Sequence, residues 1–83
     1  MNTLDEVKHV LDDVLALEGR ARTFERPTPL LGELPEFDSI AVVSLVTQLQ
    51  ERFGITVHDE ELMAETFQTV GSVAELVERK LAE

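Results

Sequence analysis

Apolar residues recur at helical spacing in three stretches of the chain. Leu4, Val7, Leu11 and Val14 step by 3, 4 and 3, with Asp5, Glu6, Asp12 and Asp13 between them. This predicts an amphipathic helix over about 3–18. Thr3 and Glu6 stand at capping-box spacing, and Gly19 is the expected C-cap. A second stripe, Val42, Leu45, Val46, Leu49 and Phe53, predicts a helix over about 39–53, with Asp38 or Ser39 as N-cap and Gly54 as its stop. The β-branched Ile40, Val42 and Val43 would permit a strand, but the following QLQERFG favours helix. A third stripe, Val70, Val73, Val77 and Leu81, predicts a helix over about 70–82 that Thr69 can cap, with Arg79 and Lys80 in its last turn complementing the dipole.

Between these stripes the pattern breaks in two places. Residues 19–38 carry all three prolines and no sustained period. A connection of that length is a sign of function unless it is pinned down, and Phe24, Leu30, Leu31, Leu34 and Phe37 can pin it to the core. After Gly54 an extended ITV can insert Ile55 or Val57. Asp59 to Glu65, DEELMAE, then reads as a short acidic helix capped by Asp59, with Leu62 and Met63 turned inward. The fold class is all-α: three main helices and one short one in a four-helix bundle with a long loop between the first two, as a single domain over 1–83.

Composition narrows what such a bundle can do. There is no cysteine, which removes disulfides, thiolate metal sites and cysteine nucleophiles. Seven Lys+Arg against seventeen Asp+Glu give a formal net charge of −10. That surface repels phosphate backbones and anionic lipid, so nucleic acid and membrane insertion are not expected, whereas a partner with a basic face is steered towards it. Acids near the N-terminus, and the lack of a long apolar run, read as a cytoplasmic protein. A monomer is expected. Arg20, Arg22 and Arg26 cluster in the loop, where pairing with nearby acids is the ordinary reading.

Candidate chemistry is sparse. His9 and His58 are the only histidines, and both read as solvated or capping residues. No phosphate loop, nucleophile elbow or HExxH occurs, and Asp59-Glu60-Glu61 lacks the ligand alternation of a calcium loop, so no metal site and no enzyme activity are expected. One tripeptide stands out: Asp38-Ser39-Ile40, where the loop meets the second helix. A hydroxyl there lies beside the free amides of a first helical turn, which can stabilise an attached phosphate. By local chemistry alone, the ordinary reading of such a serine is a cap.

The stretch PLLGELPEFDSIAVVSLVTQLQERFGITVHDEEL resembles the acyl carrier protein family, whose signature is Asp-Ser-Leu opening the second of four helices. The likeness runs the whole chain, from the first amphipathic helix to the final Thr-Val helix. It implies that Ser39 carries covalent 4′-phosphopantetheine, added from coenzyme A by a phosphopantetheinyl transferase, and that acyl intermediates ride on its thiol as thioesters. Asp38 would orient the motif, and Ile40, standing where the family has Leu, would fill an apolar pocket on partner enzymes. Val43, Glu51, Glu60 and Glu61 are the further expected contacts for enzymes with basic or apolar docking patches. The family also shelters acyl chains between helices, which the sequence leaves open for this chain.

Departures from the family point to a specialised stand-alone carrier. The second helix presents Ala41, Ser44, Thr47 and Gln50 where fatty-acid-synthesis carriers place acids, and Glu51 is followed by Arg52. Weaker charge steering leaves apolar contacts to set specificity. The pattern LPEFDSIAVVSLVTQLQERFGITV also resembles carriers of bacterial exosortase and exopolysaccharide clusters, which implies a dedicated pathway such as secondary metabolism or lipid tailoring. His58 stands where many members have Pro and reads as a tolerated helix-start residue. Two other functions remain open: a peptidyl or aminoacyl carrier using the same Ser39, and an unmodified carrier-like adaptor in which Ser39 only caps its helix.

Overall fold

The first helix stops short of its apolar pattern, because the residues after it must turn back into the core. In the computed structural model, which describes residues 2–35 and 37–82, α1 spans Thr3–Leu15 rather than reaching Glu18. Leu15 and Leu17 are both buried, yet residues two apart on a helix point to nearly opposite sides. The chain resolves this by leaving the helix at Ala16, whose left-handed φ of 53° replaces the expected glycine cap. Such a conformation costs a non-glycine residue about 1–2 kcal/mol, which burial of the Leu17 side chain offsets. The Asp12 carboxylate holds the exit by accepting from the backbone N–H groups of Gly19 and Ala21, each at 3.1 Å. At the other end Asn2, not Thr3, is the cap: its Oδ1 accepts from the Asp5 N–H at 2.8 Å.

α2 covers Ser39–Phe53 and α3 covers Val70–Ala82. α2 buries Leu45, Val46 and Leu49, with Val42 and Phe53 partly buried against the core, and stops at Gly54, which takes the left-handed φ of 66°. α3 buries Val70, Val73, Ala74, Leu76 and Val77, whereas Leu81 lies past the core and is exposed. Its stripe ends at Val77 because no element packs on its last turn. Val57 and, more shallowly, Ile55 close the bottom of the core from the extended link.

The fourth helix expected over 59–65 is instead two 3₁₀ turns, Asp59–Glu61 and Ala64–Phe67. Nucleating a short α-helix is costly, and here side chains offer the backbone alternatives. Glu61 Oε1 accepts from the His58 N–H at 2.9 Å, so His58 rather than Asp59 is the capping position. Thr66 Oγ1 donates to the Glu61 carbonyl, and Ser72 Oγ to the Thr66 carbonyl. Leu62 and Met63, expected to face inward, are exposed, while Phe67 is buried. Lys80, whose side chain is almost wholly buried, reaches Glu61 at 2.5 Å and ties the first turn to α3.

The long connection is pinned by more than apolar side chains. Leu30 and Phe37 are buried, Phe24 and Leu34 are partly buried, and Leu31 stays exposed. A third 3₁₀ turn occupies Arg20–Thr23. Beyond it, residues 26–31 run beside 67–71, bridged at Pro29 and Thr69. Leu30 and Leu31 donate to the carbonyls of Gln68 and Phe67, and Val70 and Gly71 donate to those of Thr28 and Arg26. The first amides of α3, orphaned in an isolated helix, are thereby satisfied by the loop. Thr69 Oγ1 takes the Ser72 N–H, as a capping residue should. Arg26 also pairs with Glu78 of α3 at 3.4 Å. No strand forms among the described residues, and no helix there is long and apolar enough to cross a membrane.

Three outcomes follow for stability. Leu49→Ala empties a fully buried position and lowers the unfolding free energy in urea by about 2–5 kcal/mol. A Cβ on Gly71 would lie 2.8 Å from the Arg26 carbonyl oxygen, so Gly71→Ala destabilises by about 1–3 kcal/mol despite the better helix propensity of alanine. Donation by Lys80, and then by the His58 N–H, holds the Glu61 carboxyl below its ordinary value of 4.5. A depressed carboxyl contributes stability that is complete above its unfolded value and lost as pH falls through the folded one. Melts between about pH 3 and 7 therefore show an acid-side decline that Glu61→Gln makes shallower.

Candidate functional site

Two helix starts are built in opposite ways. That of α3 is sealed by loop carbonyls, whereas that of α2 is open. Asp38 caps α2: its Oδ1 accepts from the Ala41 N–H at 2.8 Å, and its carbonyl accepts from Val42 at 3.0 Å. The amides of Ser39 and Ile40 precede these and have no protein partner, so the positive end of a 15-residue helix faces solvent. With Asp38 as cap, Ser39 is the first helical residue and not the cap that its position suggested. Ser39 is exposed, and no hydrogen bond engages its hydroxyl.

The other two serines of the chain are unlike it. Ser72 donates to the Thr66 and Thr69 carbonyls and accepts from the Thr69 N–H. Ser44 is exposed but lies in the interior of α2, where the backbone amides are consumed by the helix. Ser39 alone among them combines a free hydroxyl with open amides. A phosphodiester on that oxygen would meet two donors and a favourable dipole, so these residues fit a phosphate-linked group.

The remaining expected residues divide sharply. Ile40 and Val43 are 76% and 63% exposed on α2, large for apolar side chains in so small a molecule, and Glu51 is exposed in the last turn of that helix. Glu60 is exposed on the first 3₁₀ turn after α2. Glu61, by contrast, is engaged by Lys80 and His58 and is not a free docking charge. Two residues assigned to the α2 surface also have internal work. Ala41 packs on the core, and Gln50 Oε1 accepts from the Val57 N–H at 2.8 Å. Arg52 turns to Glu6 of α1 at 2.5 Å, leaving the outer face of α2 as Ile40, Val43, Ser44, Thr47, Gln48 and Glu51.

A separate cleft of about 600 Å³ between α1 and the Arg20–Thr23 turn is lined by Asp5, Lys8, His9, Asp12, Asp13, Gly19 and Arg22. It includes no residue of α2, and its charges are mixed. A group held by a covalent bond needs an accessible attachment atom rather than an enclosed cavity, and Ser39 supplies it. The residues that sequence reasoning missed are Leu62 and Met63, whose exposure depends on the break between two turns. No pattern within DEELMAE signals that break.

Comparison with known proteins agrees with this geometry. Residues 6–77 match the family described as the phosphopantetheine attachment site. The solution NMR structure of a holo acyl carrier protein from Nitrosomonas europaea superposes with a TM-score of 0.92, at 46% sequence identity over 100% of both chains. The chain belongs to the phosphopantetheine attachment site family, and it is a carrier with the acyl carrier protein fold rather than an enzyme.

Proposed function

We propose that Ser39 is the attachment point of the 4′-phosphopantetheine arm and that the protein carries acyl intermediates among the enzymes of a dedicated biosynthetic pathway. The observation that carries the assignment is the exposed, unpartnered hydroxyl of Ser39 beside the open amides of Ser39 and Ile40. In the loading reaction the Ser39 oxygen forms a bond to the phosphorus bearing the pantetheine arm of coenzyme A. The pyrophosphate bond of coenzyme A breaks, 3′,5′-adenosine bisphosphate departs, and the serine proton passes to a base on the transferase. When bound, the arm supplies a terminal thiol for thioester formation, the nucleophile that this cysteine-free chain lacks.

Each neighbour has a distinct task. Asp38 fixes the first turn through the Ala41 amide, so the Ser39 hydroxyl is held at a constant angle to the helix. Ile40 and Val43 offer apolar contact beside the attachment point, with Glu51 at the far end of the same helix. Tethering keeps cargo at high effective concentration near the enzymes that act on it. The nearly uncharged outer face of α2 supports a dedicated set of partners, in secondary metabolism or lipid or polysaccharide tailoring, selected by apolar fit rather than by strong charge steering. This carrier unit is read as one domain working in the cytoplasm.

Incubation with coenzyme A, Mg²⁺ and a broad-specificity phosphopantetheinyl transferase adds the mass of one phosphopantetheine to the protein. Ser39→Ala adds none, while changing stability by no more than about 0.5 kcal/mol, because Asp38 and not Ser39 holds the cap. A wild-type chain that gains no mass, or a gain that survives Ser39→Ala, overturns the assignment.

A further inference from the structure

The segment between α2 and α3 exposes apolar side chains that its own fold does not use. Leu62 and Met63 are 39% and 52% exposed. Both lie at the break between the two 3₁₀ turns, where the backbone leaves helical geometry. Exposed Asp59, Glu60 and Glu65 flank them. Hydrogen bonds and an ion pair hold the segment in place: Glu61 to Lys80 and His58, and Thr66 to the Glu61 carbonyl. Burial of Leu62 and Met63 is not needed to order it.

This patch lies at the same end of the molecule as Ser39. The Phe37 and Phe67 rings pack with centroids 6.2 Å apart. Phe37 precedes Ser39 by two residues, and Phe67 follows Glu65 by two. Two residues of chain span at most about 7 Å, so one enzyme surface can reach both the hydroxyl and the acidic turn. The outer face of α2 supplies apolar contact next to Ser39 but no acid before Glu51.

Resting on the assignment of Ser39 above, we propose that the 59–65 turn is a second docking point for the phosphopantetheinyl transferase. Leu62 and Met63 enter an apolar pocket whose rim carries lysine or arginine side chains, and these meet Asp59, Glu60 and Glu65. Docking is thus divided between two surfaces: apolar on α2, and apolar with negative charge on the turn. Glu61 stands outside the contact, since Lys80 already holds it.

Loading kinetics with coenzyme A and a broad-specificity transferase test the division. Two exposed charge pairs lost in Glu60→Gln/Glu65→Gln raise KM about three- to tenfold at low salt with kcat unchanged, and added salt erases the difference. Met63→Ser raises KM by about tenfold or less at every salt concentration. The charge-matched Asp13→Asn/Glu75→Gln, whose acids lie on α1 and α3, separates local contact from the pull of overall net charge and leaves KM within about twofold. Unchanged KM in both turn variants, or an equal rise in the α1/α3 variant, overturns the second docking point while loading of Ser39 stands. Failure of the wild-type chain to load at all instead strikes the Ser39 assignment. Circular dichroism melts of each variant exclude unfolding as the cause of any rise.

Discussion

The arrangement depends on the short run of backbone that joins the long loop to the start of α3. Residues 26–31 and 67–71 exchange hydrogen bonds in both directions, and Gly71 lets the Arg26 carbonyl approach to 2.8 Å from its amide. A loop this long is entropically expensive to hold. Here the loop and the helix each satisfy polar groups that the other would otherwise leave stranded. The chain from Leu30 to Phe37 then runs over the core, and Phe37 delivers it to α2 against Phe67.

This union gives the two helix starts opposite characters. The amides of Val70 and Gly71 are consumed, so α3 has no vacancy for an anion. At α2, Asp38 satisfies the amides of Ala41 and Val42 and leaves those of Ser39 and Ile40 to solvent. An open helix start is common and by itself says little. Its meaning here comes from the free hydroxyl that shares it, which makes a covalent attachment point beside donors suited to phosphate. A carrier needs nothing more elaborate, since the chemistry takes place on the arm and within partner enzymes.

Charge is distributed according to the same economy. Much of the net −10 lies outside α2, and several acids have structural duties. Glu6 clasps Arg52, Asp12 gathers the amides after α1, and Glu61 anchors a turn to Lys80. The Arg52 pair removes a cation from the outer face of α2 and leaves that face almost neutral. Glu60 and Glu65 remain exposed beside Leu62 and Met63. Attraction to basic partners is then strongest at the turn and weakest on the helix that bears Ser39.

Fold class and candidate chemistry were legible in the order of residues because both are written in local patterns. The helical stripes name the faces that become the core, and Asp38-Ser39-Ile40 within its flanking register carries the family resemblance and the cofactor with it. Interactions between distant parts of the chain were not legible. Whether α1 continued past Leu15 turned on the need to bury Leu17, and whether DEELMAE became a helix turned on contacts from Lys80, Thr66 and Ser72. Periodicity records which side chains prefer to leave water. It carries no information about which carbonyl will meet which amide across forty residues of chain, and those meetings closed the start of α3, opened that of α2 and turned Leu62 and Met63 outward.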